Sequence, residues 1–173
     1  YAIFADCGLG KTLMQLEWAY RVSKKTKKRV IILAPLVVVE QTKREAIKFN
    51  IDIDLVDADN YEQLNNIDTS IYGGVVLDES SILKNFEGET KKLILDRFIS
   101  TPYKLACTAT PSPNDPMELG NHSEFLDVMS RNEMLAMYFV HDGGETAKWR
   151  IKGHAVKMFY QFVGTWSIML NKP

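Results

Sequence analysis

Eight residues near the start of the chain combine two glycines, a lysine and a threonine at a spacing that suits phosphate binding. They are Ala5-Asp6-Cys7-Gly8-Leu9-Gly10-Lys11-Thr12. Gly8 and Gly10 permit backbone angles that direct several N–H groups at an anion, and a helix starting near Lys11 adds the positive end of its dipole. Lys11 would then reach the outer phosphates of a nucleotide, and the Thr12 hydroxyl would bind magnesium.

The flanking residues place this loop between a strand and a helix. The apolar run 1–4 predicts a short buried strand, and Leu13, Leu16 and Tyr20 lie on one face of a predicted helix. Strand, glycine loop and helix in this order form the context that a phosphate-binding loop requires. The first position of the general pattern, usually glycine, is Ala5. The alternative interpretation is a glycine turn that binds nothing.

Two adjacent acids, Asp78 and Glu79, follow a second apolar run, 73–77. At the carboxyl edge of a parallel sheet, Asp78 would hold magnesium, and Glu79 would accept a proton from an attacking water. Taken alone, such a pair is more typical of the amino end of a helix. Its combination with the Lys11 loop favours a nucleotide site.

A further predicted strand, 103–107, delivers Thr108-Ala109-Thr110-Pro111 to the same edge. The two hydroxyls could bond to the acidic loop and report the state of the outermost phosphate. Alternatively, Thr108 or Thr110 caps the helix that follows residues 111–116. The sequence leaves these two interpretations open.

The other apolar patterns alternate between strand and helix as far as residue 117, which is typical of an α/β fold. They predict strands over 30–34 and 51–55, helices over 37–49 and 91–100, and a short helix from Tyr61. Beyond residue 117 the alternation is lost. Residues 117–138 have helical character, 142–144 form a predicted turn, and 155–170 form a long amphipathic stretch.

Composition sets further bounds. The 173 residues, 46% hydrophobic and 25% charged, are typical of one soluble globular domain. Because 21 basic residues balance 22 acidic ones, any nucleic-acid contact must come from a local surface. The absence of a long apolar run or signal peptide predicts a cytoplasmic protein with no membrane contact. Since the chain starts at Tyr1 rather than methionine, we expect a piece of a longer polypeptide.

The basic run 23–29 has two interpretations. It could be a nucleic-acid patch, or a solvated helix end at which cations suit the negative dipole terminus. The run precedes a strand, whereas ligands of open α/β sheets bind at the carboxyl ends of strands. Position therefore favours the helix end.

Histidines and cysteines form no metal or redox motif. The residues in question are His122, His141 and His154, together with Cys7 and Cys107. The histidines lack metal-ligand spacing and are interpreted as structural. The cysteines are interpreted as packed, reduced thiols.

Taken together, the ordered motifs resemble the first RecA-like lobe of superfamily 2 helicases and translocases, closest to the Swi/Snf-type branch. The motifs are 5–12, Leu33-Ala34-Pro35-Leu36, Tyr61-Glu62, Asp78-Glu79-Ser80-Ser81 with Leu83-Lys84-Asn85, and Thr108-Ala109-Thr110-Pro111 with Asn114 and Glu118-Leu119. The resemblance covers residues 3–119. The remainder, including 141–144 and 149–166, resembles less closely the lobe-connecting region of phage-encoded members.

The resemblance implies an α/β fold: a RecA-like phosphate-loop NTPase domain with a mostly parallel sheet flanked by helices, over 1–120, and a helical extension over 121–173. It implies ATP and magnesium as cofactors, with double-stranded DNA as the expected nucleic-acid partner. The implied ATP contacts are Asp6, Cys7, Gly8, Leu9, Gly10, Lys11 and Thr12. The implied catalytic residues are Lys11, Asp78 and Glu79, and the implied magnesium ligands are Thr12 and Asp78. The resemblance also implies that Thr108, Ala109 and Thr110 couple the nucleotide state to the rest of the protein. Pro35 and Leu36 are the implied contacts with nucleic acid.

The sequence departs from the family pattern in two ways. Ser81 stands where many members carry histidine, and no Gln-Gly-Arg-Arg motif of a second lobe is present. An arginine finger contributes about three to five decades in rate in phosphate-loop enzymes. We therefore expect this piece to bind ATP weakly and hydrolyse it barely, and the full-length protein to be a nucleic-acid-stimulated ATPase. The alternatives are another phosphate-loop NTPase, such as a kinase, and a non-catalytic nucleic-acid-binding or docking module that keeps the fold.

Overall fold

The computed structural model describes residues 1–84, 88–142 and 148–172. Its strands are β1 (Ala2–Ala5), β2 (Arg29–Ala34), β3 (Val56–Asn60), β4 (Tyr72–Asp78), β5 (Tyr103–Thr108), β6 (Phe139–Asp142), β7 (Lys148–Ile151) and β8 (Ser167–Leu170). Its α-helices are α1 (Lys11–Thr26), α2 (Leu36–Lys48), α3 (Glu89–Arg97), α4 (Leu119–Phe125), α5 (Arg131–Tyr138) and α6 (Val156–Trp166). The protein is thus an α/β structure, as predicted.

Six strands form one sheet in the order β3-β2-β4-β5-β1-β8, while β6 and β7 form a separate antiparallel pair. Every strand pair in the six-stranded sheet is parallel. All six strands therefore end at the same edge, which we call the carboxyl edge; the opposite edge is the amino edge. Ligands of open α/β sheets bind at the carboxyl edge.

Both faces of the sheet are covered at its centre, so the inner strands β2 and β4 are almost continuously buried rather than alternating. In β2, for example, Ile31 and Leu33 join a core that includes residues of α3 to α6. Their neighbours Val30 and Ile32 join a second core with α1 and α2. Because successive side chains of a strand point to opposite faces, these two cores lie on opposite sides of the sheet.

The outer strand β3 lies later in the chain than the sequence predicts. The predicted strand over 51–55 is wrong: these residues form a loop, and β3 begins at Val56. The backbone N–H of Asp54 donates to the Asp52 carboxylate at 3.1 Å, a local turn that competes with extended structure. Ile51 and Ile53 nevertheless pack against the core from this loop, which explains their apolar alternation.

The predicted helical extension also contains strands. Helix α6 ends at Trp166, and the chain then continues as β8, which pairs with β1 from Ala2 with Ser167 to Ala5 with Leu170. A helix followed by a strand explains why the apolar residues of 155–170 cover more than one helical face. Residues 143 and 144 of the predicted turn lie outside the described residues. The division at residue 120 stays a prediction, but β8 belongs to the main sheet.

Within the described residues, no helix combines the length and apolar character needed to cross a membrane.

Candidate nucleotide site

The loop between β1 and α1 has the backbone that its sequence predicts. Gly8 and Gly10 have φ angles of 84° and 81°, in the left-handed region that favours glycine. Gly10 is the N-cap of α1, and no side chain caps this helix end. Its first N–H groups have no partners within the helix and are therefore free to bind an anion. A Cβ added to Gly10 would have open space around it.

Lys11 folds back over the start of the loop. Its ammonium donates to the carbonyl of Ala5 at 2.8 Å and to that of Asp6 at 3.4 Å. Among the described residues, no carboxylate lies within ion-pair distance of this ammonium. A phosphate group could therefore replace neutral carbonyl acceptors without breaking a salt bridge.

A cavity of about 540 Å³ opens beside the loop and extends to the end of β4. It is lined by Cys7, Gly8, Gly10, Lys11, Thr12, Leu13, Val38, Gln41, Glu45, Lys48, Phe49, Asp78 and Glu79. Two predicted ATP contacts, Asp6 and Leu9, are not among the lining residues. The Asp6 carboxylate instead accepts the backbone N–H of Lys172 at 2.9 Å. The cavity nevertheless joins Lys11 and Thr12 to both predicted acids.

Asp78 ends β4 as a buried carboxylate. Gln15, one turn after Lys11 in α1, donates its side-chain N–H to Asp78 Oδ1 at 2.6 Å. The Tyr61 hydroxyl donates to the backbone carbonyl of Asp78 at 2.7 Å. Burial raises the pKa of Asp78, an effect opposed by the Gln15 hydrogen bond and by the charge of Lys11. A cation beside this carboxylate would relieve the cost of its burial.

Glu79 has a φ of 51°, an unusual conformation for a residue other than glycine. Thr108, at the end of β5, donates its hydroxyl to Glu79 Oε2 at 3.2 Å and accepts the backbone N–H of Thr110 at 3.1 Å. Thr108 thus contacts the acidic loop, while Thr110 is exposed. The helical turn Pro116–Glu118 that follows is capped by Asp115, not by either threonine.

Cys107 lies next to this site but is chemically quiet. It is fully buried in β5 and pairs with Asp78 across the sheet. Burial raises the pKa of the Cys107 thiol to about 12, and the neighbouring Asp78 carboxylate acts in the same direction. The group therefore stays a neutral thiol at neutral pH. Cys7, in contrast, is exposed in the phosphate loop, so the prediction of a packed thiol is wrong for this residue.

The two predicted nucleic-acid contacts lie at the same edge but in a different groove. Pro35 is the N-cap of α2, and Leu36 is 64% exposed. They line a groove of about 520 Å³ together with Asn60, Tyr61, Glu62, Glu79, Ser81, Ile82, Lys84 and Thr90. Glu79 lines both this groove and the phosphate cavity. It is therefore the point at which the two sites meet.

A buried histidine contacts the segment that follows Asp78 and Glu79. His122 in α4 lies 3.1 Å from the Ser80 hydroxyl and packs edge-on against the Phe4 ring. Burial lowers the pKa of His122 to about 4, so the imidazole is neutral at pH 7. Ser81 provides no imidazole here, but His122 brings one to its neighbour. Asn85, which trails this motif, lies outside the described residues.

The basic run 23–29 lies at the amino edge, away from both cavities. It contains the end of α1 and the first residue of β2. Two of its charges form local ion pairs: Lys24 pairs with Asp52 at 2.7 Å, and Arg29 pairs with Asp57 at 2.5 Å. This placement agrees with the helix-end interpretation.

The sequence did not reveal two parts of the site, Gln15 behind Asp78 and the wall that α2 contributes. It also gave no indication that Lys172 lies beside the loop. The sequence indicates Gln15 only weakly, as a polar residue next to the buried Leu16 on the core side of α1. It does not indicate Lys172, since the strand that delivers it was not predicted.

Comparison with known proteins gives a match at the level of fold. No family model matches the sequence, and no curated protein matches it. Among solved structures, the UvsW helicase from bacteriophage T4 resembles this chain with a TM-score of 0.60 at 10% sequence identity. The match covers 72% of this chain and 51% of the UvsW chain. The chain thus spans about half the length of that helicase.

At this identity the likeness establishes the fold and nothing finer. The chain has an α/β fold of the RecA-like helicase type, a six-stranded parallel sheet flanked by helices, as the sequence motifs implied. The Swi/Snf-type branch and a phage origin stay predictions.

Proposed function

We propose that the chain is the first ATP-binding lobe of a nucleic-acid-dependent ATPase, a helicase or a double-strand translocase. The observation that carries this proposal is the single cavity shared by Lys11, Thr12, Asp78 and Glu79. Its residues fit a magnesium nucleotide: N–H groups and an ammonium for the phosphates, and a hydroxyl and a buried carboxylate for the metal. The helicase-type fold supports the same class.

In this proposal each residue has a separate task. The loop N–H groups and Lys11 bind the phosphates, and Thr12 and Asp78 hold magnesium, which would neutralise charge on the outer phosphates. Gln15 fixes the orientation of the Asp78 carboxylate through its 2.6 Å hydrogen bond. Glu79 orients the attacking water and accepts its proton, and Thr108 holds Glu79 in position.

Hydrolysis by this lobe alone should be slow. Among the described residues lining the cavity there is no arginine. Phosphate-loop ATPases and GTPases gain about three to five decades in rate from an arginine that contacts the transferred phosphate. We therefore propose that a second RecA-like lobe of the same polypeptide supplies such residues.

The groove at Pro35 and Leu36 is the proposed contact with nucleic acid, for which double-stranded DNA is the expected partner. The charged residues that line the groove are Glu62, Glu79 and Lys84. Attraction between basic side chains and phosphates is therefore not the main interaction expected there. The amino end of α2 has no side-chain cap, which leaves N–H groups for a backbone phosphate. Since Glu79 lines this groove as well, occupancy by nucleic acid could adjust the catalytic carboxylate.

Titration calorimetry with Mg-ATP tests the nucleotide assignment. We expect Lys11→Ala to lower affinity by about a hundredfold, because a charged phosphate contact is worth about 1.5–3 kcal/mol. Lys25→Ala is the matched control, since it removes the same charge from the far end of α1. Unchanged binding in Lys11→Ala would contradict the phosphate-loop assignment.

A second measurement separates the ATPase from its alternatives. In the full-length protein, Glu79→Gln should retain Mg-ATP binding and reduce DNA-stimulated turnover by at least about a hundredfold. A chain that binds DNA with a steep salt dependence but binds no ATP would instead be a docking module. Phosphate transfer to a small molecule would identify a kinase.

A further inference from the structure

Lys172 lies beside the phosphate loop although it is 160 residues away from it in the chain. Strand β8 is the neighbour of β1 on the side away from β5. Because β1 and β8 are parallel, both end at the carboxyl edge, and the residues after Leu170 arrive next to the loop. None of the sequence motifs includes this position.

Two hydrogen bonds through Asp6 hold the Lys172 backbone against the loop. The Asp6 backbone N–H donates to the carbonyl of Leu170 at 3.0 Å. The Lys172 backbone N–H donates to Asp6 Oδ2 at 2.9 Å. Residues 170–172 are thereby tied to the second residue of the loop, which limits where the Lys172 side chain can reach.

The Lys172 side chain lies over Gly8. A Cβ built on Gly8 would be 3.4 Å from Lys172 Nζ and 3.8 Å from its Cε. Among the described residues, the ammonium has no carboxylate within ion-pair distance. It therefore adds a second positive charge to a loop that already contains Lys11 and the amino end of α1. An anion that binds between these groups would be attracted by both ammonium groups and by the helix end.

The order of strands in the sheet determines on which side of the phosphate loop Lys172 lies. Asp78 ends β4, which lies beyond β5 on one side of β1, whereas Lys172 follows β8 on the other side. In the proposed function, Thr12 and Asp78 would hold the metal, which would neutralise charge on the outer phosphates. Lys172 would then lie on the side away from the metal, where the inner phosphates would lead to the ribose.

We propose that Lys172 is a second phosphate-binding cation, which contacts the inner phosphates of the nucleotide. This inference rests on the proposed function, because it needs a nucleotide in the loop. Lysine binds phosphate as a compact point charge, so arginine should replace it only in part. Since the inner phosphates are common to ATP and ADP, Lys172 should strengthen the binding of both by the same factor.

The test is titration calorimetry of Mg-ATP and Mg-ADP with the wild-type chain, Lys172→Gln and Lys157→Gln. We expect Lys172→Gln to weaken both nucleotides about tenfold, the effect of losing one charge-assisted contact. Lys157→Gln is the control, because it removes an exposed lysine from α6 on the way to β8. It should change neither affinity by more than about twofold. Lys172→Gln keeps the backbone N–H that Asp6 accepts, so the fold should be unaffected, as circular dichroism and urea unfolding would verify.

The possible results separate the two proposals. If the wild-type chain binds neither nucleotide, the proposed function fails, and the role of Lys172 fails with it. If wild type binds and Lys172→Gln behaves like Lys157→Gln, only the role of Lys172 is overturned. A loss confined to ATP would also overturn it, because the contact would then be with the outermost phosphate.

Discussion

The two edges of the sheet use their charges in opposite ways. At the amino edge, Arg29 pairs with Asp57, and Lys104, which is buried at the start of β5, pairs with Asp127 at 2.5 Å. At the carboxyl edge, no opposite charge lies within ion-pair distance of Lys11, Asp78, Glu79 or Lys172 among the described residues. The hydrogen-bond partners of Lys11, Asp78 and Glu79 are carbonyls, an amide, a backbone N–H and a hydroxyl. The amino edge thus contains charges that are paired within the protein, whereas these four charges at the carboxyl edge have no charged partner within the described residues.

This difference has an energetic meaning. A paired charge contributes to folding, while an unpaired buried charge costs stability unless a ligand compensates it. Glu79 adds to this cost, since a non-glycine residue in the left-handed region is strained by about 1–3 kcal/mol. At the carboxyl edge, removing a buried charge such as that of Asp78 should therefore stabilise the fold and impair binding. At the amino edge the same change should only destabilise.

The largest expected effect concerns His122, under the carboxyl edge. Its pKa of about 4 in the folded chain compares with about 6.5 in the unfolded chain, so unfolding takes up a proton between these values. This contribution to stability is complete above pH 6.5 and is lost as the pH falls to 4, by about 3 kcal/mol. Urea unfolding at pH 7, 5 and 4 should show this loss in wild type and not in His122→Gln. Parallel pH profiles of the two chains would contradict it.

The next effect in size breaks the buried pair at the amino edge. Asp127→Asn should destabilise the fold by about 2 kcal/mol, because Lys104 would remain buried without its counter-charge. Asparagine tolerates the φ of 55° at position 127, so the substitution tests charge rather than backbone strain. The urea midpoint gives the loss of stability. Mg-ATP affinity should stay at the wild-type value, and a change there would show that the edges are coupled.

The same substitution at the two edges should have opposite signs. Asp78→Asn should stabilise the chain by about 1 kcal/mol at pH 7 and weaken Mg-ATP binding. Asp57→Asn should cost about 1 kcal/mol, because it removes the Arg29 ion pair. Since the folded-state pKa of Asp78 is raised, its carboxylate costs stability only as the pH rises above the unfolded value. The gain in Asp78→Asn should therefore vanish in acid, and a gain that persists at low pH would point to packing instead.

The smallest expected effect tests the basic run. Lys27→Gln combined with Lys28→Gln should change DNA affinity by less than about twofold, because these residues lie at the amino edge. Leu36→Asp, at the carboxyl edge, should weaken binding by about tenfold, because it places an acid beside the proposed path of the phosphates. Fluorescence anisotropy at a fixed salt concentration measures both. The reverse ranking would move the nucleic-acid surface to the other edge.

Local signals predicted much of this molecule from its sequence. The first strand, the glycine loop and α1 follow one another within a few residues, so periodicity and loop chemistry were sufficient. The meeting of Lys11 with Asp78 followed from one rule, that parallel strands end at the same edge. Their chemical roles stay predictions, to which the shared cavity adds support.

What the sequence could not predict depends on contacts between distant segments. Gln15 and its hydrogen-bond partner Asp78 are 63 positions apart in the chain, and the helical pattern around Gln15 does not predict this contact. Strand β8 has only four residues and follows directly from α6, so its apolar side chains were interpreted as part of one helix. Because β8 was not predicted, the position of Lys172 beside the phosphate loop was not predicted either. In the loop 51–55 before β3, the turn-forming Asp52 and Asp54 alternate with apolar residues, which resembles the pattern of a strand.

The position of β1 between β5 and β8 also bears on how the chain folds. Ala2 pairs with Ala106 and Ser167, so the first strand has no neighbour that is close to it in the chain. Closing such long loops is entropically costly and slow, whereas β2 and β4 are joined by a far shorter segment. During synthesis, β1 can complete its pairing only after β5 and β8 have been made. The phosphate loop should therefore be among the final parts of the molecule to gain protection from hydrogen exchange.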